Sequence, residues 1–210
     1  MNKSKLERLS IILVFGSIWG IIEATLGYVL HLLPALIAGS VMFPIVVFIL
    51  LRARRADLKR ADLLFVGLVA AVIKGANLVM PAATIFKTIN PMVSILFETL
   101  IVFLLIPLIE NEKIGIKVAS LPLAGIVWRG LYLLYMGGQF FLNGFLAAHL
   151  SSFDAAVEFL VVGGLIDGLI ALIALALDRL LRGFTVKLRW QRLWLGIPAF
   201  VLAVVLTLIL

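Results

Sequence analysis

The sequence predicts an all-α fold, a polytopic transmembrane helical bundle of six or seven spans with its N-terminus on the cytoplasmic side. Three observations carry that reading. Of 210 residues 64% are hydrophobic and only 14% are charged, the mean hydropathy is +1.23, and long apolar runs alternate with short charged or Pro/Gly-rich breaks. A soluble globular chain is roughly 45–50% apolar and about 25% charged, whereas a bilayer-crossing helix needs about 20 mostly apolar residues.

The runs fall at about 9–31, 35–51, 62–80, 91–109, 118–136, 157–177 and 193–210, within a single integral membrane domain over residues 1–210. The basic stretch Met1 to Arg8 resembles the start of a signal peptide, but the apolar run that follows, Leu9 to Leu33, exceeds the h-region of such peptides and is read as a retained first span. The second and last runs are short enough to be tilted or re-entrant, which keeps six spans open beside seven. Gly137 to Ala156, with Gln139, Asn143, His149 and Asp154, is too polar to span and reads as a loop or half-helix capping one face.

Basic residues set the orientation, because Lys and Arg are retained on the cytoplasmic side. Lys3, Lys5 and Arg8, then Arg52, Arg54, Arg55, Lys59 and Arg60, then Lys113 and Lys117, then Arg179, Arg182, Lys187, Arg189 and Arg192 all lie in alternate breaks; only Lys74, Lys87 and Arg129 do not. This is the multi-pass pattern of a cell membrane protein, and the bilayer is read as a prokaryotic inner or plasma membrane. The net charge of +7 does not point to nucleic acid, since the cations sit in juxtamembrane loops facing anionic membrane lipids. Docking of a cytoplasmic partner on those loops stays open. With no cysteine in the chain, disulfides, thiolate metal sites and cysteine nucleophiles are excluded.

Five ionisable residues fall inside spans: Glu23, Lys74, Glu98, Arg129 and Asp167. Each costs about 2.5–3.5 kcal/mol on insertion scales, so each needs a reason. Counting from the outer end of each span at about 1.5 Å per residue puts the first four about 10 Å below the outer surface, with Asp167 slightly deeper. Charges from five helices therefore converge on one layer, reinforced by Asn77 three residues after Lys74, Ser94 four before Glu98 and Tyr132 three after Arg129. A buried ion-pair network that only fixes helix packing is one reading. The other is a substrate-binding pocket open to the outside, with Glu23, Glu98 and Asp167 holding cationic or donor groups and Lys74 and Arg129 holding a carboxylate or carbonyl. Three acids against two bases favour a cationic or zwitterionic small molecule. Tyr28, Trp128, Tyr135, Phe140, Phe141, Gln139 and Asn143 map to the same half, either as an interfacial aromatic belt or as a stacking surface for a planar ring.

Small residues recur at helical spacing in Gly16-xxx-Gly20-xxx-Ala24, Gly67-xxx-Ala71-xxx-Gly75 and Gly164-xxx-Gly168, as seams for close helix packing in lipid. No metalloprotease, serine-nucleophile, phosphate-loop or paired-aspartate motif occurs, so no catalytic residue, cofactor or metal is expected. A metal site from His31, His149 and Glu23 is the weak exception.

With its small size, basic cytoplasmic loops and the stretches GSIWGIIEATLGYVLHLLP, GSVMFP and KTINPMVSILFETLIV, the chain resembles a substrate-binding S component of energy-coupling-factor transporters over residues 9 to about 180. The resemblance implies capture of a vitamin or similar micronutrient, with release driven through a transmembrane coupling subunit and cytoplasmic ATPases on separate chains. In that family an alanine pair on the first helix packs on the coupling subunit, and the matching positions here are Gly16 and Gly20. Glycine in place of alanine is one departure; the apolar segment Leu193 to Leu210, an extra helix that would put the C-terminus outside, is another. Three further readings stand beside this one: a self-sufficient ion-coupled carrier, an intramembrane enzyme acting on a lipid or isoprenoid, and a ligand-free scaffold.

Overall fold

The computed structural model describes residues 4–30, 35–80, 85–144, 146–181 and 193–209, and these are helical with short connections. Helix α1 (residues 5–30) consists of Lys5–Ile22, a π-helical turn Glu23–Gly27 and a final Tyr28–Leu30. It opens on a capping box, in which Ser4 Oγ accepts from the Glu7 amide and Glu7 Oε2 accepts from the Ser4 amide. Then follow α2 (Ala35–Arg55), α3 (Asp62–Val79, its last turn 3-10), α4 (Ile85–Ile109), α5 (Ile114–Asn143), α6 (Phe153–Leu180) and α7 (Leu193–Ile209). Among the described residues five of them, α1, α3, α4, α5 and α6, are long and apolar enough to cross a membrane. Of the other two, α7 is a shorter apolar helix, whereas α2 is 21 residues long.

The helices form a ring in the order α1, α3, α4, α5, α6, α2, with α7 laid on the outer flank of α1. Trp19, Phe43, Val46, Leu50, Leu63, Val66, Val102 and Leu121 fill the ring as one continuous core. Large apolar side chains such as Phe65, Leu104, Leu134, Leu169 and Ile173 point outward, as lipid-facing positions require.

Two boundaries differ most from the sequence reading. Helix α4 begins at Ile85 and runs through Pro91, whose missing amide leaves the helix intact where neighbouring helices support the backbone. Helix α5 continues to Asn143 and is closed by Gly144 in the left-handed region (φ 72°). Much of the polar stretch expected as a loop is thus the far end of α5, with the short turn Ala148–Leu150 and the start of α6 completing it.

All the basic breaks that are described meet at one end. Arg8 pairs with Asp62, Arg55 with the fully buried Asp178, and Arg54 Nε lies 3.2 Å from Glu110 Oε1. Arg60 donates to the carbonyls of Phe103 and Leu104 and lies over the Phe103 ring. Lys3, Arg182, Lys187, Arg189 and Arg192 lie outside the described residues.

Candidate functional site

The approach of α5 and α6 builds the centre of the charge layer. A Cβ on Gly125 would sit 2.0 Å from the Gly164 carbonyl oxygen, and one on Gly168 would sit 2.3 Å from Pro122 Cα. Only glycine lets these backbones touch, and touching brings Trp128 and Arg129, one turn beyond Gly125, onto Asp167, which is flanked by Gly164 and Gly168.

The resulting contacts are dense. Arg129 Nε donates to Asp167 Oδ2 at 2.6 Å and Nη2 to Oδ1 at 2.9 Å, a two-pronged pair in which both residues are fully buried. Trp128 Nε1 donates to the same carboxylate at 2.9 Å. Further guanidinium hydrogens go to the Phe159 carbonyl (3.1 Å) and Ser40 Oγ (3.3 Å). Phe159 belongs to a second π-helical turn, Glu158–Val162, in α6. Such a wide turn shifts backbone carbonyls out of the regular ladder, which fits the outward bond that Phe159 accepts. The Arg129 guanidinium also lies 4.6 Å from the Phe159 ring, on which His149 stacks at 4.1 Å.

The other three charges are buried as well, Glu23, Lys74 and Glu98 being at most 8% exposed. Glu98 lies within electrostatic reach of Glu23, Asp167 and Arg129, and Glu23 within reach of Lys74. The five expected residues thus form one connected group. They are not equally satisfied. Glu98 takes a single bond, from Ser94 Oγ at 3.3 Å. Among the described residues, neither the Glu23 nor the Lys74 side chain has a hydrogen bond or ion pair at contact distance. The Glu23 carboxyl rests over Gly27, where a Cβ would stand 3.2 Å from it.

Toward the far end, Tyr135 donates to Asn90 Oδ1 (3.0 Å) and Gln139 Nε2 donates both to Asn90 Oδ1 (3.0 Å) and to Tyr135. Among the described residues four buried side-chain polar atoms have no hydrogen-bond partner: Trp19 Nε1, Asn77 Oδ1, Gln139 Oε1 and, at the basic end, Arg54 Nε. Buried polar groups are nearly always paired, which singles these atoms out. Tyr132 lies between Trp128, Tyr135 and Phe159, with ring centroids 5.9–6.2 Å apart.

Comparison with protein-family models, curated proteins and solved structures finds no match for this chain. Its chemistry therefore rests on its own residues.

Several expected positions take a different role here. Gly16 and Gly20 pack within the chain, where a Cβ would lie 2.6 Å from Val69 and 2.7 Å from Ile73 of α3. The positions that the resemblance matches to a coupling-subunit face thus lie against α3 of the same chain. Four of the five Arg129 N–H groups go to Asp167, Phe159 and Ser40, and Asp167 already fills the two-pronged face a ligand carboxylate would take. Phe140 and Phe141 point outward, Phe141 at 87% exposure. His31 lies outside the described residues, as does the Tyr28 side chain, and no group of three metal-ligating side chains occurs among those described. Ser40, Asn90 and Phe159 are the members the sequence reading missed. Asn90, beside Pro91 in an apolar run, carried the only usable signal.

Proposed function

We propose that the chain is a membrane-embedded solute-binding subunit, in a prokaryotic cell membrane, that captures a small cationic or zwitterionic micronutrient of vitamin-like size. The observation that carries this reading is the unequal satisfaction of the charge layer. Arg129 and Asp167 neutralise each other, which leaves two acids, Glu23 and Glu98, against one cation, Lys74, with the acceptor atom Asn77 Oδ1 unpaired three residues after Lys74 and Gln139 Oε1 unpaired farther along α5. A surplus of buried acceptors matches a ligand that brings N–H donors and positive charge. Tyr132 and Tyr135 supply faces for a planar ring or a cationic group.

Mass spectrometry of small molecules released by denaturing the purified protein tests this directly. A polar metabolite near one per chain, absent from Glu23→Gln, supports the reading. Only lipid, in equal amounts from both proteins, refutes it.

A self-sufficient ion-coupled carrier is the second reading, favoured by one specific arrangement. Helix α7 covers the flank of α1, with a Cβ on Gly196 placed 3.0 Å from Leu13, while α3 fills the Gly16 and Gly20 face. Coupling to separate transmembrane and ATPase subunits would then need another surface. Uptake by the single purified chain in liposomes distinguishes the two.

A further inference from the structure

We propose that the basic end of the bundle carries a second binding site, for the phosphate group of an anionic lipid or for free phosphate. It is a cavity of about 240 Å³ between α2, α4, α5 and α6, lined by Leu51, Arg55, Ile109, Glu110, Lys117 and Leu175. That is space for roughly eight waters at about 30 Å³ each. Leu51, Ile109 and Leu175 are buried and form an apolar floor.

The charge around this floor is unbalanced. Arg55 is fixed by two bonds from Nε to Asp178, at 2.5 and 2.7 Å, and Arg52 lies 3.8 Å from the same carboxylate. Glu110, the acid on the rim, faces Arg54, whose buried Nε nonetheless lacks a well-aligned acceptor. Lys117 is half-buried and, among the described residues, its ammonium has no hydrogen bond or ion pair. Four cations, Arg52, Arg54, Arg55 and Lys117, thus stand against two acids, with one ammonium and one guanidinium N–H unsatisfied.

A phosphate oxygen supplies what the Lys117 ammonium, on the cavity wall, lacks. Lysine binds phosphate as a compact point charge, and arginine as a directional donor. The cavity opens at the membrane end that carries the positive-inside residues, where basic pockets between helices take lipid headgroups. Beside Lys117, the exposed Ile114, Ile116 and Val118 offer acyl chains an apolar surface.

Native mass spectrometry of the full chain in detergent, titrated with phosphatidylglycerol or phosphatidylcholine of equal chain length, reads the site. The expected result is several-fold greater retention of phosphatidylglycerol, lost in Lys117→Ala and kept in Lys113→Ala, which removes an exposed lysine not lining the cavity. Glu110→Gln, which removes the opposing acid, should raise retention. Inorganic phosphate, titrated by calorimetry, separates the two sources. Binding that depends on Lys117, without selective lipid retention, assigns the site to the free anion. Equal retention of both lipids together with no phosphate binding overturns the proposal, as does a Lys117→Ala protein that behaves as the wild type in both assays.

Discussion

Arg129 and Asp167 meet in a two-pronged contact at which neither side chain is reached by solvent. It ties α5 to α6 at the depth where Glu98 of α4, Glu23 of α1 and Lys74 of α3 also gather. A ligand captured in the layer would lie beside a pair that is already complete, with Glu23, Lys74 and Glu98 as the remaining charges.

Removing one half of this pair strands the other. Arg129→Ala should cost about 3–5 kcal/mol, the usual consequence of an unpaired buried charge. The double variant Arg129→Met with Asp167→Leu should recover most of the loss. Thermal unfolding in detergent, followed by loss of helical signal or by aggregation, measures both.

Gly168→Ala should be as damaging as a charge deletion although it adds only one methyl group. The new Cβ would meet Pro122 backbone atoms at 2.3 and 2.4 Å, which cannot rotate away. Forced overpacking costs about 1–3 kcal/mol, and the separation of α5 from α6 would add the loss of the Arg129 contact. Gly137→Ala, which has open space, is the control and should be neutral.

Glu23→Gln and Glu98→Gln should leave the fold intact while weakening the capture of a cationic ligand at least tenfold. Neither carboxylate holds a structural cation at contact distance among the described residues. Gly27→Ala should reproduce part of the Glu23 effect, because its methyl group presses on the Glu23 carboxyl. Calorimetric titration with the released metabolite tests all three.

Stability should rise with pH through the range just below neutrality, by way of His149. Burial first, then the Arg129 cation, hold its imidazole below the ordinary histidine value. The folded state therefore binds fewer protons than the unfolded state between the lowered value and about 6.5. The His149 contribution is complete above that range and is lost as pH falls through it. Melting temperatures from pH 5 to 8 should show a shallower dependence in His149→Phe, which keeps the stack on Phe159.

Much of the fold was legible because transmembrane helices obey few rules. Long apolar runs gave the helices, the alternation of Lys and Arg gave their common end, and the pairs Arg8 with Asp62 and Arg54 with Glu110 close that end. Asp178 escaped notice because it lies next to Arg179 in a charged break, where a solvated surface residue is the ordinary expectation. It is instead fully buried against Arg55. The two π-helical turns were illegible too, since EATLG and EFLVV carry no local signature and the wider turn is selected by what packs against it.

The sequence by itself determined depth: helical rise converts position into distance along the membrane normal, so Glu23, Lys74, Glu98, Arg129 and Asp167 were bound to share a layer once their spans were known. Only the tertiary structure decided direction. Each residue turns a helix by about 100°, and which face looks inward depends on the neighbours that pack there. That is why Arg129 chose Asp167 over Glu98, why Gly16 and Gly20 closed on α3, and why Lys74 faces Glu23 without touching it.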